Sequence, residues 1–347
     1  MVAIELDNLT LRAGKKIIVD KVNLKLERSS RTALLGASGS GKTSLLRAIA
    51  GFIRPETGRV LLFGENVTRI PAEKRDVSML FQEPVLFPGL TIQENAKMAL
   101  GKEGREQTAD SKIKLLARDF VIDDKLSRRV DSGISGGEWQ RAALLRVFSN
   151  KKPILLLDEP LRGALNVELK WQLLHAIRKR ISDNDITTVV VTHDFCEAAY
   201  LAERIVVMHD GNTEFGSPEE IYNHPPNLGV ALVLGPGNAV EAGLLGSIKT
   251  RDGQFPLVIE GGMPAIRGET DILFFRPEKL SVQPASLGFK VVDNRFLGNS
   301  RRLRLKAPNE KEIEAHVPPE TKQMTFASVS IKAHDIVVFN SLCRRRD

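Results

Sequence analysis

The stretch that most restricts what this chain can become is GASGSGKTS, residues 36–44. Gly36, Gly39 and Gly41 stand among small residues, and Lys42 and Thr43 complete a G-x-x-x-x-G-K-[ST] pattern. Before it runs RTALLG, an apolar strand ending at Gly36. After it runs TSLLRAIAGF, which places Leu45, Leu46 and Ile49 on one side of a helix. Strand, glycine loop and helix in that order let backbone N–H groups curl around phosphate oxygens without Cβ clashes. Gly36, Ala37, Ser38, Gly39, Ser40, Gly41, Lys42, Thr43 and Ser44 are therefore the candidate nucleotide-binding residues. Lys42 is expected to neutralise β- and γ-phosphate charge, and the Thr43 hydroxyl to ligate Mg²⁺.

A chain of 347 residues suits two domains, or one large domain with an appendage. The net charge of +7 is mild and reads first as solubility, although it also suits acidic headgroups or nucleic acid. Its densest basic runs, RRLRLK at 301–306 and RRR at 344–346, read as a solvated strand face and a loose tail. Cys196 and Cys343 are far apart in the chain, which fits a reducing compartment rather than a disulfide framework. MVAIELDNLT carries acids and no basic-then-apolar signal, and no apolar run nears the ~20 residues of a membrane span. A soluble or peripheral protein is expected.

Up to about residue 235, strand-like runs (RTALLG, PILLLDEP, TTVVVTHD) alternate with helix-compatible sequence, which predicts a parallel sheet covered by helices. From LGPGNAVEAG onward, short strands such as PLVIE, FKVVDNRFLG and VSIKAHDIVVFN are separated by Gly and Pro turns. That pattern predicts a small all-β barrel. The boundary is placed between 235 and 236, giving domains 1–235 and 236–347.

Three further segments carry chemistry. ILLLDEP ends a fully apolar strand with Asp158 and Glu159, and buried carboxylates are costly unless they face a site. Asp158 is expected to hold Mg²⁺, and Glu159 to polarise the water that attacks the γ-phosphate. His193, in VVVTHD, and Gln82, in MLFQEP, occupy similar strand ends. His193 is placed to touch the γ-phosphate, and Gln82 to reach both Mg²⁺ and the attacking water. Finally, in ISGGEWQ, Ser135 and Glu138 have the spacing of a capping box around Gly136 and Gly137 at a helix start, where anions bind readily.

In order and spacing, the loop at 36–43, Gln82, ISGGE at 134–138, LLLDEP at 155–160 and His193 resemble ATP-binding-cassette (ABC) ATPases. FFRPEKL (274–280) and FLGNSRRLRL (296–305) resemble segments of the transport-associated OB (TOBE) domain. The resemblance implies an α/β P-loop NTPase core with a helical subdomain at roughly 84–152, followed by an OB-like barrel. It further implies the ATP-hydrolysing subunit of a bacterial importer for ferric iron, polyamines, sugars or oxyanions, with ATP and Mg²⁺ as cofactors. In that family two chains close head to tail, so Ser135, Gly136, Gly137 and Glu138 would meet ATP held by the partner chain. Integral-membrane permease subunits would dock near Gln82–Leu90, with Leu86, Phe87 and Pro88 lining the groove. An extracytoplasmic solute-binding protein is implied indirectly, and the location is peripheral on the cytoplasmic face of the inner membrane.

Five positions depart from the family pattern. Ala13 stands where an aromatic stacks on adenine, which implies weaker nucleotide affinity, relaxed base selectivity or stacking from elsewhere; such stacking is worth about 1–3 kcal/mol. Gly163 and Asn166 replace a serine and an aspartate in the segment that crosses to the partner, and Ile134 and Glu138 replace the leucine and glutamine of the signature. The alternative is a non-transport ABC ATPase acting on nucleic acid or ribosomes. Proteins of that kind usually carry two cassettes, coiled-coil insertions or zinc fingers, and this chain has one cassette and no cysteine cluster. Residues 240–347 contain no Trp or Tyr, and Phe274, Phe289 and Phe339 sit in core-like contexts, so no nucleic acid is expected there.

Overall fold

In a computed structural model of the protein, the described residues are 1–131, 133–162, 166–209, 211–245, 257–262, 264–266 and 268–339. The chain divides into two compact units, Met1–Pro218 and Glu219–Asp347. The first unit runs β1 (Val2–Ala13), β2 (Lys16–Glu27), β3 (Arg31–Gly36), α1 (Lys42–Ala50), β4 (Thr57–Leu62), β5 (Glu65–Asn66) and β6 (Val77–Leu80). There follow α2 (Ile92–Ala99), α3 (Ala109–Asp119), α4 (Gly136–Ser149), β7 (Ile154–Asp158), α5 (Val167–Asp183), β8 (Thr187–Val191), α6 (Phe195–Leu201), β9 (Arg204–His209) and β10 (Asn212–Gly216).

The sheet expected from the apolar runs is present, in the order β10-β9-β3-β8-β7-β6 and parallel except for β10. Every residue of β7 and β8 is buried, as helices on both faces of a parallel sheet require. Successive side chains of β7 enter different cores. Leu155 and Leu157 join Leu144, Leu145 and Leu173 of α4 and α5, whereas Ile154 and Leu156 join Leu45 and Ile49 of α1. The register pairs Leu80 with Leu157, Asp158 with Val191, and Leu34 with Val191. The carboxyl ends of β3, β6, β7 and β8 therefore finish along one edge, where open α/β sheets bind ligands.

The sequence reading did not anticipate a second, antiparallel sheet, β2-β1-β4-β5. Ile4, Leu6, Leu9 and Leu11 of β1 are at most 1% exposed and pack with Leu45, Leu46 and Ile49 of α1. Burial of each such side chain contributes roughly 1.5–3 kcal/mol. The helix after the glycine loop is thereby clamped between two sheets.

The second unit begins within α7 (Pro218–Asn223) and continues with α8 (Leu228–Val233), β11 (Asn238–Glu241), β12 (Leu257–Glu260), β13 (Ile272–Phe275) and β14 (Ser281–Ala285). It ends with β15 (Phe289–Phe296), β16 (Arg301–Lys306), β17 (Glu312–Val317), β18 (Phe326–Lys332) and β19 (Val337–Phe339). Its sheets run β11-β13-β19 and β12-β18-β15-β16-β17, with β14 on β18. The two short helices, which the sequence reading assigns to the first domain, belong to this unit. Ala231 of α8 is buried with Ile272, Phe274 and Phe339. Phe274, Phe289 and Phe339 are core residues, at 1%, 0% and 4% exposure. In RRLRLK, Leu303 and Leu305 point inward and Arg304 outward, while RRR lies outside the described residues. Among the described residues, no helix is long and apolar enough to cross a membrane.

Candidate nucleotide site

The loop between β3 and α1 depends on its glycines. Gly41 has φ 96°, the left-handed region, and a Cβ there would lie 2.6 Å from Val19 Cγ2. A Cβ on Gly36 would meet the Met208 carbonyl oxygen at 2.5 Å. Lys42 folds back over the loop and donates to the carbonyls of Gly36 (2.8 Å) and Ala37 (2.9 Å) and to Ser40 Oγ (3.3 Å). Burial lowers the pKa of its ammonium, opposed by the carboxylates of Glu159 and Asp158. The arrangement is a cation already aimed into a ring of backbone groups.

Asp158, 1% exposed at the end of β7, accepts from the Thr43 hydroxyl through Oδ1 at 3.2 Å. Its Oδ2 is buried without a partner among the described residues. Burial is the main cause that raises its pKa. An orphaned buried carboxylate oxygen beside a threonine hydroxyl is a donor pair that fits a hard divalent cation such as Mg²⁺, with phosphate and water completing the shell. The next residue, Glu159, adopts φ 51°, a strained left-handed turn for a non-glycine, while its N–H donates to Val191 O at 2.9 Å. That turn brings Glu159 Oε2 to 2.8 Å from His193 Nδ1. A carboxylate accepts only, so Nδ1 carries the proton of this bond. Gln82 is exposed just beyond β6, on the same sheet edge.

A buried carboxylate with an unpaired oxygen makes a stability prediction. Asp158→Asn is expected to stabilise the nucleotide-free protein by about 1 kcal/mol, or roughly 2–4 °C in Tm, while abolishing Mg²⁺-dependent hydrolysis. The folded pKa lies above the ordinary 3.8, so ionisation is penalised in the folded state. The Tm advantage of the variant should therefore grow as pH rises above 3.8 and level off above the folded pKa. Calorimetric melts across pH check this.

The turn before α4 carries both halves of the expected capping box. Glu138 N–H donates to Ser135 Oγ at 3.2 Å, and Ser135 N–H donates to Glu138 Oε2 at 2.8 Å. That backbone hydrogen bond is the main reason the Glu138 carboxyl lies below its usual range. Ser135 and Gly136 are exposed, and a Cβ on Gly136 would meet nothing within 4 Å. Gly137 is buried. The first N–H groups of a helix have no intrahelical acceptor, so this end presents a positive dipole outward.

Side chains of α4 that sequence reasoning missed tie this helix to the strand ends. Trp139 Nε1 donates to Pro84 O (2.7 Å), Gln140 Nε2 to Pro160 O (2.7 Å), and Arg146 Nη1 to Val85 O (2.6 Å). Asn95 of α2, wholly buried, accepts from Phe87 N–H at 2.7 Å and donates to the Thr91 carbonyl at 3.0 Å. An amide on an otherwise apolar helix face was the available signal for Asn95. The loop it braces exposes Val85 (59%) and Phe87 (38%) beside a groove of about 330 Å³ lined by Phe81, Pro84, Val85, Met98 and Arg146. The expected lining is corrected: Leu86 is 3% exposed and packs with Leu80, Ile92 and Ala96, and neither it nor Phe87 nor Pro88 is among the residues that line the groove.

Ala13 lies exposed at the end of β1, opposite Lys16. Gly163 lies outside the described residues. Asn166 caps α5, its Oδ1 accepting from Leu169 N–H at 2.7 Å.

A glycine loop between a central parallel strand and a helix, with an Asp-Glu pair ending a neighbouring strand, defines a P-loop nucleoside triphosphatase. The ABC transporter family model matches residues 19–162. The chain is 34% identical to the spermidine/putrescine import ATP-binding protein PotA of Spiroplasma citri, over 87% of this chain and 85% of that protein. It is 35% identical to the sulfate/thiosulfate import ATP-binding protein CysA of Mycobacterium tuberculosis, over 83% and 81% respectively. Among solved structures, it is similar to a dimeric post-hydrolysis ATP-binding cassette bound to ADP and Pi, at TM-score 0.56 and 26% identity. That match covers 62% of this chain and 98% of the other. The chain belongs to the ATP-binding proteins of the ABC transporter family, and it is an ATPase.

Proposed function

We propose that two copies of this chain close head to tail around two Mg²⁺–ATP molecules and energise import of a small solute through separate membrane subunits. The relatives are named for import of spermidine/putrescine and of sulfate/thiosulfate. The solute class is accordingly a polyamine or oxyanion, with ferric iron and sugars retained from the sequence resemblance. The observation that carries the reading is the Glu159–His193 contact at 2.8 Å, set beside the Thr43–Asp158 pair at the same sheet edge. The bound metal supplies charge neutralisation at the β- and γ-phosphates.

Lys42 exchanges its loop carbonyls for phosphate oxygens, and the loop N–H groups hold the chain of phosphates in line. His193 holds the Glu159 carboxylate, which takes a proton from the attacking water. Gln82 reads the metal and that water. The Ser135–Gly136 end of the partner's α4 closes over the γ-phosphate, and loss of phosphate releases it. Because Trp139 and Arg146 hold Pro84 and Val85, movement of α4 carries the groove loop with it.

A helix from an integral-membrane subunit occupies that groove. The protein then sits on the cytoplasmic face of the inner membrane, with an extracytoplasmic solute-binding protein as an indirect partner. Phe87→Asp and Val85→Asp are expected to leave ATP turnover of the isolated protein intact and to abolish its recruitment to vesicles carrying the permease subunits. Recruitment at the wild-type level by both variants would refute the docking site.

A further inference from the structure

Little packs against the imidazole of His193. Its side chain is 80% exposed, and Glu159 is its only hydrogen-bond partner among the described residues. A side chain that no packing confines takes its direction from the backbone that carries it. Here that backbone is fixed on both sides. Thr192, wholly buried just past β8, donates its hydroxyl proton to Glu197 Oε2 at 2.8 Å and accepts from Asp194 N–H at 3.1 Å. Asp194 caps α6, its Oδ1 accepting from the N–H groups of Cys196 (2.7 Å) and Glu197 (3.2 Å).

Lys170 of α5 closes the circuit. Its ammonium donates to Asp194 Oδ2 and to Glu197 Oε1, both at 2.7 Å. The residues before and after His193 are thereby tied to one cation, Asp194 directly and Thr192 through Glu197. The cation stands on a fixed base, because α5 buries Leu173, Leu174 and Ile177. Isolated surface ion pairs contribute little. This one differs in two respects. Glu197 is 7% exposed, so its charge needs a partner. Both carboxylates also belong to the stretch that aims His193.

We propose that Lys170 is a positioning residue for ATP hydrolysis, holding the His193 turn so that Nδ1 meets Glu159. The inference rests on the reading that His193 holds the Glu159 carboxylate. Without the ammonium, Asp194 and Glu197 are left as two neighbouring carboxylates sharing no cation. The turn then relaxes, and Glu159 loses its orienting contact in part of the population. Hydrolysis slows, whereas ATP binding, which other residues carry, does not change.

A double-mutant cycle on the full chain tests this, with kcat read from phosphate release and ATP affinity from equilibrium binding. Lys170→Met is expected to lower kcat about tenfold, the size of coupling usual within one hydrogen-bonded network, at unchanged ATP affinity. In a His193→Ala background the same substitution should cost less than about twofold, because the residue it positions is gone. A merely structural lysine would lower the active fraction alike in both backgrounds. Equal losses in the two backgrounds, an unchanged kcat in Lys170→Met, or a fall in its ATP affinity would overturn the role. A His193→Ala protein at full rate would overturn the parent reading along with it, whereas a slow His193→Ala with equal losses overturns the role of Lys170 alone. Should Lys170→Met not fold, Thr192→Val, which opens the same circuit without changing charge, takes its place in the cycle under the same criteria.

Discussion

Replacing Glu159 with glutamine is expected to lower ATP turnover by roughly 10²–10⁴-fold while leaving ATP affinity at the wild-type level. The amide oxygen of glutamine still accepts from His193 Nδ1, so the 2.8 Å contact survives and the turn at φ 51° is undisturbed. What disappears is a group able to take a proton from water. The loss therefore falls on kcat, and KM follows the unchanged binding step. His193→Ala keeps the base but frees its carboxylate to rotate, and a smaller drop in kcat is expected. Phosphate-release kinetics alongside equilibrium binding of a fluorescent nucleotide separate the two effects. A Glu159→Gln protein with more than a tenth of wild-type turnover would remove Glu159 from the role of base.

Lys42→Ala should instead fail at binding. The ammonium makes charge-assisted hydrogen bonds, each worth about 1.5–3 kcal/mol, and it is the cation aimed into the loop. ATP affinity is expected to fall about 100-fold, the equivalent of two tenfold steps of 1.4 kcal/mol. Its three present acceptors, Gly36 O, Ala37 O and Ser40 Oγ, belong to the loop itself, so the truncation also loosens the cradle. Lys42→Arg should restore little, because a planar fork does not fit where three rotatable donors converge. Equilibrium binding measures both variants, and near-normal affinity in Lys42→Ala would contradict the assignment.

The legible parts of this molecule are those where chemistry dictates residue type within a short window. The glycine loop, the Asp-Glu strand end and the Ser135–Glu138 cap follow from local constraints, and both reciprocal hydrogen bonds of that cap are present. What escaped the sequence depends on distant partners. The antiparallel sheet forms because β1 pairs with β4, across the whole glycine loop and α1. The short helices at 218–233 follow an alternating pattern in sequence, yet Ala231 finds its neighbours in Ile272, Phe274 and Phe339. Leu86 and Phe87 are adjacent apolar residues in one loop, and only the bracing by Asn95 decides which is buried and which is exposed.

In the proposed head-to-tail dimer, ATP is enclosed only between the Lys42 loop of one protomer and the Ser135 turn of its partner. Light scattering of Glu159→Gln with saturating Mg–ATP tests it most directly. A mass of two chains is expected, reverting to one chain when Ser135→Arg is added. A mass of one chain throughout, even with the permease subunits present, would contradict it.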